Sequence, residues 1–407
     1  MTLSSILSEV EGLKDEMAQA LMSLIRVPAI APENGGEGES KKAEKLTQIL
    51  EEVGFDRIER HDAKDERVPS GVRPNIIAHY DEAQESRLWI VAHMDVVPPG
   101  DAALWTVTTP FEPTIKDGKV YGRGSEDNGQ SLVASIFAVK ALENLGVKPK
   151  RTLALAFVSD EEQGNKYGIG HLIDKGLFKK EDLMVVPDYG NSEGDFIEIA
   201  EKSMLWFRIK TRGKQVHAST PAKGLNAHRI GMRYALALDK LLHEKYSKRD
   251  EAFDPPESTF EPTKKENNVE AVNIIPGEDT VYFDCRVLPE YDLHDVLRDA
   301  DELAKKVETE SGAKVKIETM LENRAPKQTP VDSKVVSILR EALEISRRIK
   351  PKVGGIGAGT CAAFFRKIGI PAVCWSTIDE TAHQPDEYAK IGNMAADAAV
   401  FALLSLC

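Results

Sequence analysis

Two histidine motifs stand far apart in the chain, with acidic residues between them. His93-Met94-Asp95 ends an apolar run, and His383-Gln384-Pro385-Asp386-Glu387 lies near the other end of the sequence. The acidic residues between them are Asp127, the adjacent pair Glu161 and Glu162, and Asp188. Imidazoles and carboxylates are common ligands of catalytic zinc and related divalent ions. Two histidines and three carboxylates can bind two ions while a fourth carboxylate acts as a base, which indicates a metal-assisted hydrolase.

The spacing inside these motifs supports that interpretation. Side chains two positions apart in an extended segment point the same way, so Asp95 is predicted to accept the second ring N–H of His93. The neighbours Glu161 and Glu162 can face different directions, so one can bind metal while the other passes a proton from water to a leaving amine. Taken alone, the pair His93 and Asp95 is more typical of a capped turn. The pair Glu161 and Glu162, taken alone, is more typical of a solvated acidic loop. Together with the other ligands they favour a metal site.

Two further segments contain residues suited to binding a substrate. His217 can donate to a developing oxyanion, although an ordinary loop histidine fits the same position. The glycine-rich run Gly354–Thr360 resembles an anion-binding loop, because free N–H groups before a helix can hold a carboxylate. The run does not match G-x-G-x-x-G, since Thr360 occupies the last position, and no acidic ribose partner is evident. A dinucleotide oxidoreductase is therefore disfavoured.

Composition limits the class of protein. The 407 residues are 42% hydrophobic and 29% charged, and this length allows two domains with a sizeable core. The net charge of −13 disfavours binding to nucleic acid or to an anionic membrane. An anionic substrate remains possible, because bound cations can reverse the local field.

The cysteines and the apolar runs indicate the cellular location. The four cysteines form no C-x-x-C pair, so we expect reduced thiols. No signal peptide or membrane-length apolar run is evident, so we expect a cytoplasmic protein.

The order of predicted elements indicates an α/β fold with an insertion. Apolar runs predict buried strands of a largely parallel sheet at 87–92, 151–158, 182–186 and 372–375, and helical periodicity covers 5–25, 40–53, 131–145, 360–368 and 395–406. Between these parts, strands predicted at 204–211, 273–276, 280–288 and 313–319 alternate with helices at 226–244 and 293–309, in the β-α-β-β-α-β order of a ferredoxin-like domain. Residues 247–268 are predicted to form an exposed loop. The predicted domains are 1–202 with 321–407, and an inserted domain at 203–320.

The predicted ligands share one position in this plan. His93, the Glu161–Glu162 pair and Asp188 each follow a predicted strand of the first domain. Ligands of open parallel sheets bind beyond the carboxyl ends of the strands. Distant parts of the chain are therefore expected to deliver these side chains to one edge of the sheet.

In this order, the residues resemble the M20 family of co-catalytic zinc hydrolases. The family includes acetylornithine deacetylase, succinyl-diaminopimelate desuccinylase, aminoacylase, carboxypeptidase G and several di- and tripeptidases. The resemblance implies a three-layer zinc-exopeptidase-like catalytic domain, an inserted ferredoxin-like lid or dimerisation domain, and a homodimer. It also implies two zinc ions per subunit, for which cobalt or manganese can substitute.

The resemblance also assigns a role to each matching residue. His93, Asp127 and Asp188 would bind one zinc ion, and Asp127, Glu162 and His383 would bind the other. Glu161 would be the general acid and base, Asp95 would support His93, and a cis peptide bond is expected after Asp127. The residues expected to contact substrate are His217, which would reach a partner subunit's active site, and Asn273, Arg286, Gly359 and Thr360.

The resemblance narrows the activity without naming the substrate. It implies hydrolysis of an amide bond in a small molecule with a free carboxylate, either a dipeptide or short peptide or an N-acyl amino acid. Asp188 favours a peptidase, because glutamate is commoner at that position in the deacetylases and desuccinylases. A biosynthetic deacylase, such as the desuccinylase or acetylornithine deacetylase, is the alternative enzyme. A metal-dependent binder of amino-acid derivatives is the alternative without catalysis.

The motif around the bridging aspartate departs from the family pattern. The family motif usually continues with lysine and glycine, and Asn128-Gly129-Gln130 lacks the lysine.

Overall fold

The computed structural model describes residues 3–81 and 87–407. The helices over these residues are α1 (Leu3–Gly12), α2 (Lys14–Ile25), α3 (Ser40–Val53), α4 (Ser131–Asn144), α5 (Ile169–Asp174), α6 (Ala227–Lys245), α7 (Leu293–Ser311), α8 (Lys334–Arg347), α9 (Ala362–Lys367) and α10 (Ile391–Leu404). The strands are β1 (Arg57–Lys64), β2 (Val72–Tyr80), β3 (Arg87–His93), β4 (Thr114–Lys116), β5 (Lys119–Tyr121), β6 (Thr152–Val158), β7 (Leu183–Val186), β8 (Phe196–Glu201), β9 (Ser203–Arg212), β10 (Val216–His217), β11 (Thr259–Lys265), β12 (Ile274–Ile275), β13 (Glu278–Val287), β14 (Lys314–Asn323), β15 (Lys352–Ile356), β16 (Ala372–Cys374) and β17 (Tyr388–Lys390). Together these elements form a mixed α/β fold.

The chain divides into two compact units. The first consists of Met1–Ile199, Thr329–Val353 and Thr360–Cys407, and the second of Ala200–Gln328 and Gly354–Gly359. The second unit therefore extends beyond the predicted insertion at 203–320 and takes in a short distant segment. Backbone hydrogen bonds between residues far apart in sequence attach that segment, as where Lys202 N–H donates to Ile356 O at 2.9 Å. The glycine-rich run is thus divided between the units.

The large sheet places the predicted ligand-bearing strands at its centre. Within the described residues it has eight strands, in the order β1-β2-β6-β3-β7-β16-β8-β15. Strand β3 pairs in parallel with β6 and β7, and β7 pairs in parallel with β16. Strands β6 and β7 are buried along their whole length, because apolar residues cover both faces. The carboxyl ends of β3, β6 and β7 consequently lie at one edge of the sheet, as predicted.

The first unit differs from the prediction at its first helix and at one edge of its sheet. The helix predicted over 5–25 is two helices, since α1 ends at Gly12 and α2 begins at Lys14. The apolar periodicity continues across this break, and glycine lowers helix propensity where it occurs. Strands β1 and β2 were not predicted, and they add an antiparallel edge to the sheet. Strand β1 is rich in charged residues and largely exposed, so it lacks an apolar run.

The second unit has the predicted β-α-β-β-α-β order, with one strand in a different place. Its four-stranded sheet has the order β11-β13-β9-β14, with antiparallel neighbours throughout. Strand β11 lies within 247–268, so the prediction of a loop there was wrong. Residues 274–275 instead pair with β10 in a separate two-stranded sheet. Strand β11 is an edge strand whose exposed glutamate and lysines conceal its strand character from a pattern based on apolar residues.

In the part of the chain that the structure describes, no helix combines the length and the apolar character needed to span a bilayer.

Candidate metal centre and active site

His93 ends strand β3 with one ring nitrogen anchored and the other directed at acidic side chains. Its ring Nδ1 lies 2.9 Å from the backbone carbonyl oxygen of Asp95, to which it donates. Because that carbonyl can only accept, Nδ1 carries hydrogen and Nε2 is directed towards Asp127 and Asp188, at 2.8 and 3.3 Å. His93 is buried, with 3% of its surface exposed, so it needs no further support to hold this orientation.

The carboxylate of Asp95 does not make the contact predicted for it. Its Oδ1 is 3.7 Å from His93 Nδ1, beyond a good hydrogen bond. The carboxylate instead accepts the backbone N–H groups of Glu161 at 3.1 Å and Glu162 at 3.0 Å. Asp95 thus supports His93 through its backbone and fixes the acidic pair through its side chain. The sequence could not distinguish these contacts, because the second one depends on how the β6 loop approaches β3.

Asp127 lies between the two histidines. Its Oδ1 is 2.8 Å from His93 Nε2, and its Oδ2 is 3.0 Å from His383 Nε2. The peptide bond between Asp127 and Asn128 is cis, as the resemblance implied. A carboxylate that directs one oxygen to each histidine has the arrangement needed to bridge two cations.

The other predicted ligands lie close to the two histidines. Asp188 faces His93, and Glu162 Oε1 lies 3.1 Å from His383 Nε2. Ligand atoms of His93, Asp127 and Glu162 lie within 4.8 Å of one another, as do those of His93, Glu161 and Asp188. All five predicted ligands and Glu161 therefore converge in the first unit. Imidazole nitrogens and carboxylate oxygens in this proportion fit a catalytic zinc site or one for a related divalent ion.

Burial and the close approach of like and unlike charges shift the pKa values of the side chains at this centre. Burial raises the pKa of Glu161 well above its ordinary value, and repulsion from Asp188 raises it further. Burial alone would lower the pKa of His93, but attraction to Asp188 and the hydrogen bond to Asp127 outweigh it and raise that pKa. Hydrogen bonds to Asp127 and Glu162 raise the pKa of His383 to about 10. Protons thus neutralise clustered carboxylates that divalent cations would otherwise neutralise.

Metal affinity is therefore expected to rise with pH. His93 and His383 hold protons at neutral pH in the absence of metal, and an imidazole must lose one before it can bind an ion. Binding should release protons and strengthen as the pH increases towards the raised pKa values. Calorimetric titration with cobalt, at about pH 6 and about pH 8 in buffers of different ionisation enthalpy, measures both effects. Equal affinity at the two pH values with no proton release would contradict this expectation.

Glu161 is held by two neighbours that the sequence did not single out. Asn165 Nδ2 lies 3.4 Å from Glu161 Oε1, and the thiol of Cys361 lies 3.8 Å from the same oxygen. The thiol also donates to Asn165 Oδ1 at 3.3 Å, which directs the amide NH₂ towards Glu161. Asn165 has a φ of 63°, a conformation that asparagine tolerates better than most residues. These contacts both involve Oε1, one of the two carboxylate oxygens of Glu161.

The loop that carries Glu161 is anchored to a buried ion-pair network. Asp160, the preceding residue, is 3.4 Å from Arg73 Nη1. The Arg73 guanidinium also pairs with Glu39, and both of these side chains are fully buried. A buried cation between two carboxylates connects β2, the residue before α3 and the catalytic loop.

Replacing Arg73 with methionine should destabilise the protein strongly. The change leaves Glu39 and Asp160 buried without their cation, and breaking a buried pair costs about 3–5 kcal/mol. The free energy of unfolding in denaturant measures the loss. The matched control is Arg60→Met, because Arg60 pairs with Asp62 at 2.8 Å on the exposed surface and should cost roughly 1 kcal/mol or less. Equal losses in both variants would show that the Arg73 network does not stabilise the fold.

Asn128 and Gly129 explain the departure from the family motif. Asn128 Nδ2 donates to Asp188 Oδ1 at 3.0 Å, so the residue after the bridging aspartate holds another predicted ligand. A Cβ atom on Gly129 would lie 2.3 Å from the backbone oxygen of Gly124. The loop as it is folded here therefore has no room for a side chain at position 129.

The predicted substrate-contacting residues lie mainly in the second unit. Asn273 Nδ2 is 3.5 Å from His217 Nε2, so these two residues are neighbours. The backbone N–H of Ser219 donates to His217 Nδ1 at 3.2 Å, which places the ring hydrogen of the neutral form on Nε2. Arg286 Nη1 donates to Gly357 O at 2.9 Å, within the segment that ends at Gly359, and its other nitrogens pair with Asp284.

Thr360 differs from these residues because it belongs to the first unit. Its side chain is buried, and its hydroxyl accepts the Ala362 N–H at 3.2 Å at the start of α9. The hydroxyl therefore accepts a hydrogen bond within the protein, and its contact with a substrate carboxylate stays a prediction.

Comparison with known proteins places the chain in a family of metal-dependent hydrolases, consistent with the ligands gathered at this site. Residues 89–406 match the model of peptidase family M20/M25/M40. The chain belongs to this family. An M20 relative from Methanocaldococcus jannaschii, an uncharacterized metallohydrolase, is 39% identical over 96% of this chain and 98% of its own length. The succinyl-diaminopimelate desuccinylase of Nautilia profundicola is 30% identical over 77% of this chain and 82% of its own.

The fold is also that of solved M20 structures. Human carnosine dipeptidase 1 aligns with a TM-score of 0.76 over 100% of this chain and 98% of its own, at 17% identity. Such low identity establishes the architecture alone. Family membership and the convergent ligands together make the protein an M20 metallohydrolase, an enzyme of a family whose named relatives act on amide bonds.

Proposed function

We propose that this protein is a two-metal hydrolase that cleaves an amide bond in a small substrate with a free carboxylate. The observation that carries the proposal is Asp127, which directs one carboxylate oxygen to each histidine. His93 and Asp188 would bind one ion with Asp127, and Glu162 and His383 would bind the other. Zinc suits these ligands, and cobalt or manganese can replace it. When bound, the ions would polarise the scissile carbonyl and lower the pKa of water to roughly 7.

Protein groups would move the proton and stabilise developing charge. Glu161 accepts a proton from the attacking water and delivers it to the leaving amine. Asn165 lies 3.4 Å from one oxygen of its carboxylate, a contact that would help to orient the side chain. His217, with hydrogen on Nε2, would donate to the oxyanion, and Asn273 and Arg286 would bind substrate oxygens.

Two substrate classes fit this chemistry. Asp188 in place of glutamate favours a dipeptide or short peptide. The similarity to a succinyl-diaminopimelate desuccinylase favours an N-acyl amino acid. Both have a carbonyl carbon next to nitrogen and a free carboxylate, so the same proton transfers serve either class.

A hydrolysis screen distinguishes them. Protein loaded with zinc or cobalt would be given dipeptides, N-acetyl amino acids and N-succinyl amino acids, with Glu161→Gln as the inactive control. Cleavage of dipeptides alone would assign a peptidase, and cleavage of an acyl-amino acid alone would assign a deacylase. Failure on all three classes with both ions bound would overturn the proposal.

We also propose a homodimer in which His217 serves the partner's active site. The support is the resemblance of the second unit to the family's inserted domain. Sedimentation of the intact chain tests the dimer, and a monomer with full activity would overturn this assignment. Mixing His217→Ala with Glu161→Gln tests the shared site, because hybrid dimers would then contain one intact site and recover activity.

A further inference from the structure

Glu126 is a buried carboxylate that holds the backbone of the His383 segment. Its Oε1 accepts the Asp379 N–H at 2.6 Å, and its Oε2 accepts the Ala382 N–H at 3.0 Å. Thr381 donates to it twice, through its backbone N–H and, at 2.9 Å, through its hydroxyl. Glu126 is 3% exposed, so the carboxylate receives these bonds in place of water. Four hydrogen bonds to Glu126 therefore hold Asp379, Thr381 and Ala382, the residues just before His383.

Glu387 makes the reciprocal connection. Its Oε1 accepts the backbone N–H groups of Glu126 at 2.9 Å and Asp127 at 3.1 Å. Its Oε2 accepts from Gly124 N–H at 3.0 Å and from Arg123 Nη1 at 2.5 Å. Glu387 is fully buried. Each of the two segments thus contributes a carboxylate that binds the backbone of the other, with Asp127 and His383 next to the contacts.

His383 needs this support more than His93 does. Its side chain is 54% exposed, so packing does little to hold the ring. Its φ is 64°, in the left-handed region that non-glycine residues rarely occupy. Such a backbone persists only when its surroundings determine it. His93, in contrast, is buried at the end of a central strand.

We propose that Glu126 and Glu387 are positioning residues, and that Glu126 sets the affinity of the ion bound through His383. This inference rests on the proposed two-metal site. Groups that orient metal ligands typically change metal affinity by about 10- to 100-fold when they are lost. Because Glu126 acts on the His383 segment and leaves the end of β3 untouched, the effect falls on one ion of the two.

The Glu126→Gln variant tests the proposal. Glutamine has nearly the same shape, but its NH₂ group would face backbone N–H donors and could not accept from them. The control is Glu380→Gln, which removes the same charge from the same segment, where the Glu380 side chain is exposed. Bound ions would be counted by elemental analysis, and their affinities measured by cobalt titration. Circular dichroism would check folding. Thr381→Val is the milder second variant, because it removes the hydroxyl that donates to Glu126 and accepts the Tyr388 N–H, and keeps the backbone donors to Glu126.

The expected result is one ion bound as in the wild type and the other weakened by about 10- to 100-fold in Glu126→Gln. Thr381→Val should weaken the same ion by less, and Glu380→Gln should bind both ions normally. Normal binding of both ions in Glu126→Gln and Thr381→Val, or equal weakening of both ions, would overturn the inference. The ion count does not depend on substrate, so a protein that binds two ions and cleaves nothing would overturn the proposed function alone.

Discussion

Replacing Asp127 with alanine should leave the protein with neither metal ion tightly bound and with no measurable hydrolysis. Asp127 contacts both histidines, at 2.8 Å from His93 and 3.0 Å from His383. Its loss removes a ligand from each ion at once and leaves the two histidines without the partner they share. Elemental analysis after gel filtration counts the ions, and the substrate screen measures the activity.

Two other ligand variants show whether the effect comes from bridging. Asp188→Ala should weaken only the ion bound through His93, and Glu162→Ala only the ion bound through His383. Asp62→Ala, at an exposed carboxylate, controls for the general effect of removing a charge. A full complement of ions in Asp127→Ala would rule out Asp127 as the bridge.

Replacing Glu161 with glutamine should abolish turnover while both ions remain bound. Glutamine keeps the shape of the side chain but cannot accept and release a proton at neutral pH. Loss of a general acid or base typically lowers the rate by about 10²- to 10⁴-fold. The loss should fall on kcat, because the ligands and the substrate-binding residues are unchanged.

The stability of this variant provides an independent check. Glu161 is half-buried among carboxylates, and its pKa is raised by desolvation and by repulsion from Asp188, so its ionised form is disfavoured in the fold without metal. Glu161→Gln should therefore unfold at a temperature equal to or above that of the wild type in the absence of metal. Glu66→Gln, at a fully exposed position, is the control. Wild-type kcat in Glu161→Gln would remove Glu161 from the proton-transfer role.

The sequence alone indicated much of the metal centre. Apolar runs of strand length identified β3, β6 and β7, and the residues that follow such strands in a parallel sheet meet at one edge. Residue type then predicted the chemistry, because histidine and carboxylates gathered at one place bind divalent ions. His383 does not follow such a strand, so its residue type and the family resemblance placed it in the site, without support from its position in the fold.

Charged edge strands were harder to recognise. Strands β1 and β11 lie at sheet edges and present many charged residues to solvent, so neither has the apolar pattern on which a prediction from sequence depends. Their pairing with β2 and β13 stabilises them, and pairing is a property of the folded chain.

The sequence by itself predicted the candidate ligands, the candidate base and the α/β plan, because each prediction depends on residue type or on periodicity within one element. Only the tertiary structure decided which groups hold the ligands in place. Glu387 receives the N–H of Glu126 from 261 residues away, and the Asp95 carboxylate turns from His93 to the loop of Glu161. The physical reason is that a hydrogen bond needs its donor and acceptor within about 3 Å and well aligned. Between distant segments, only the packing of the whole chain sets that distance.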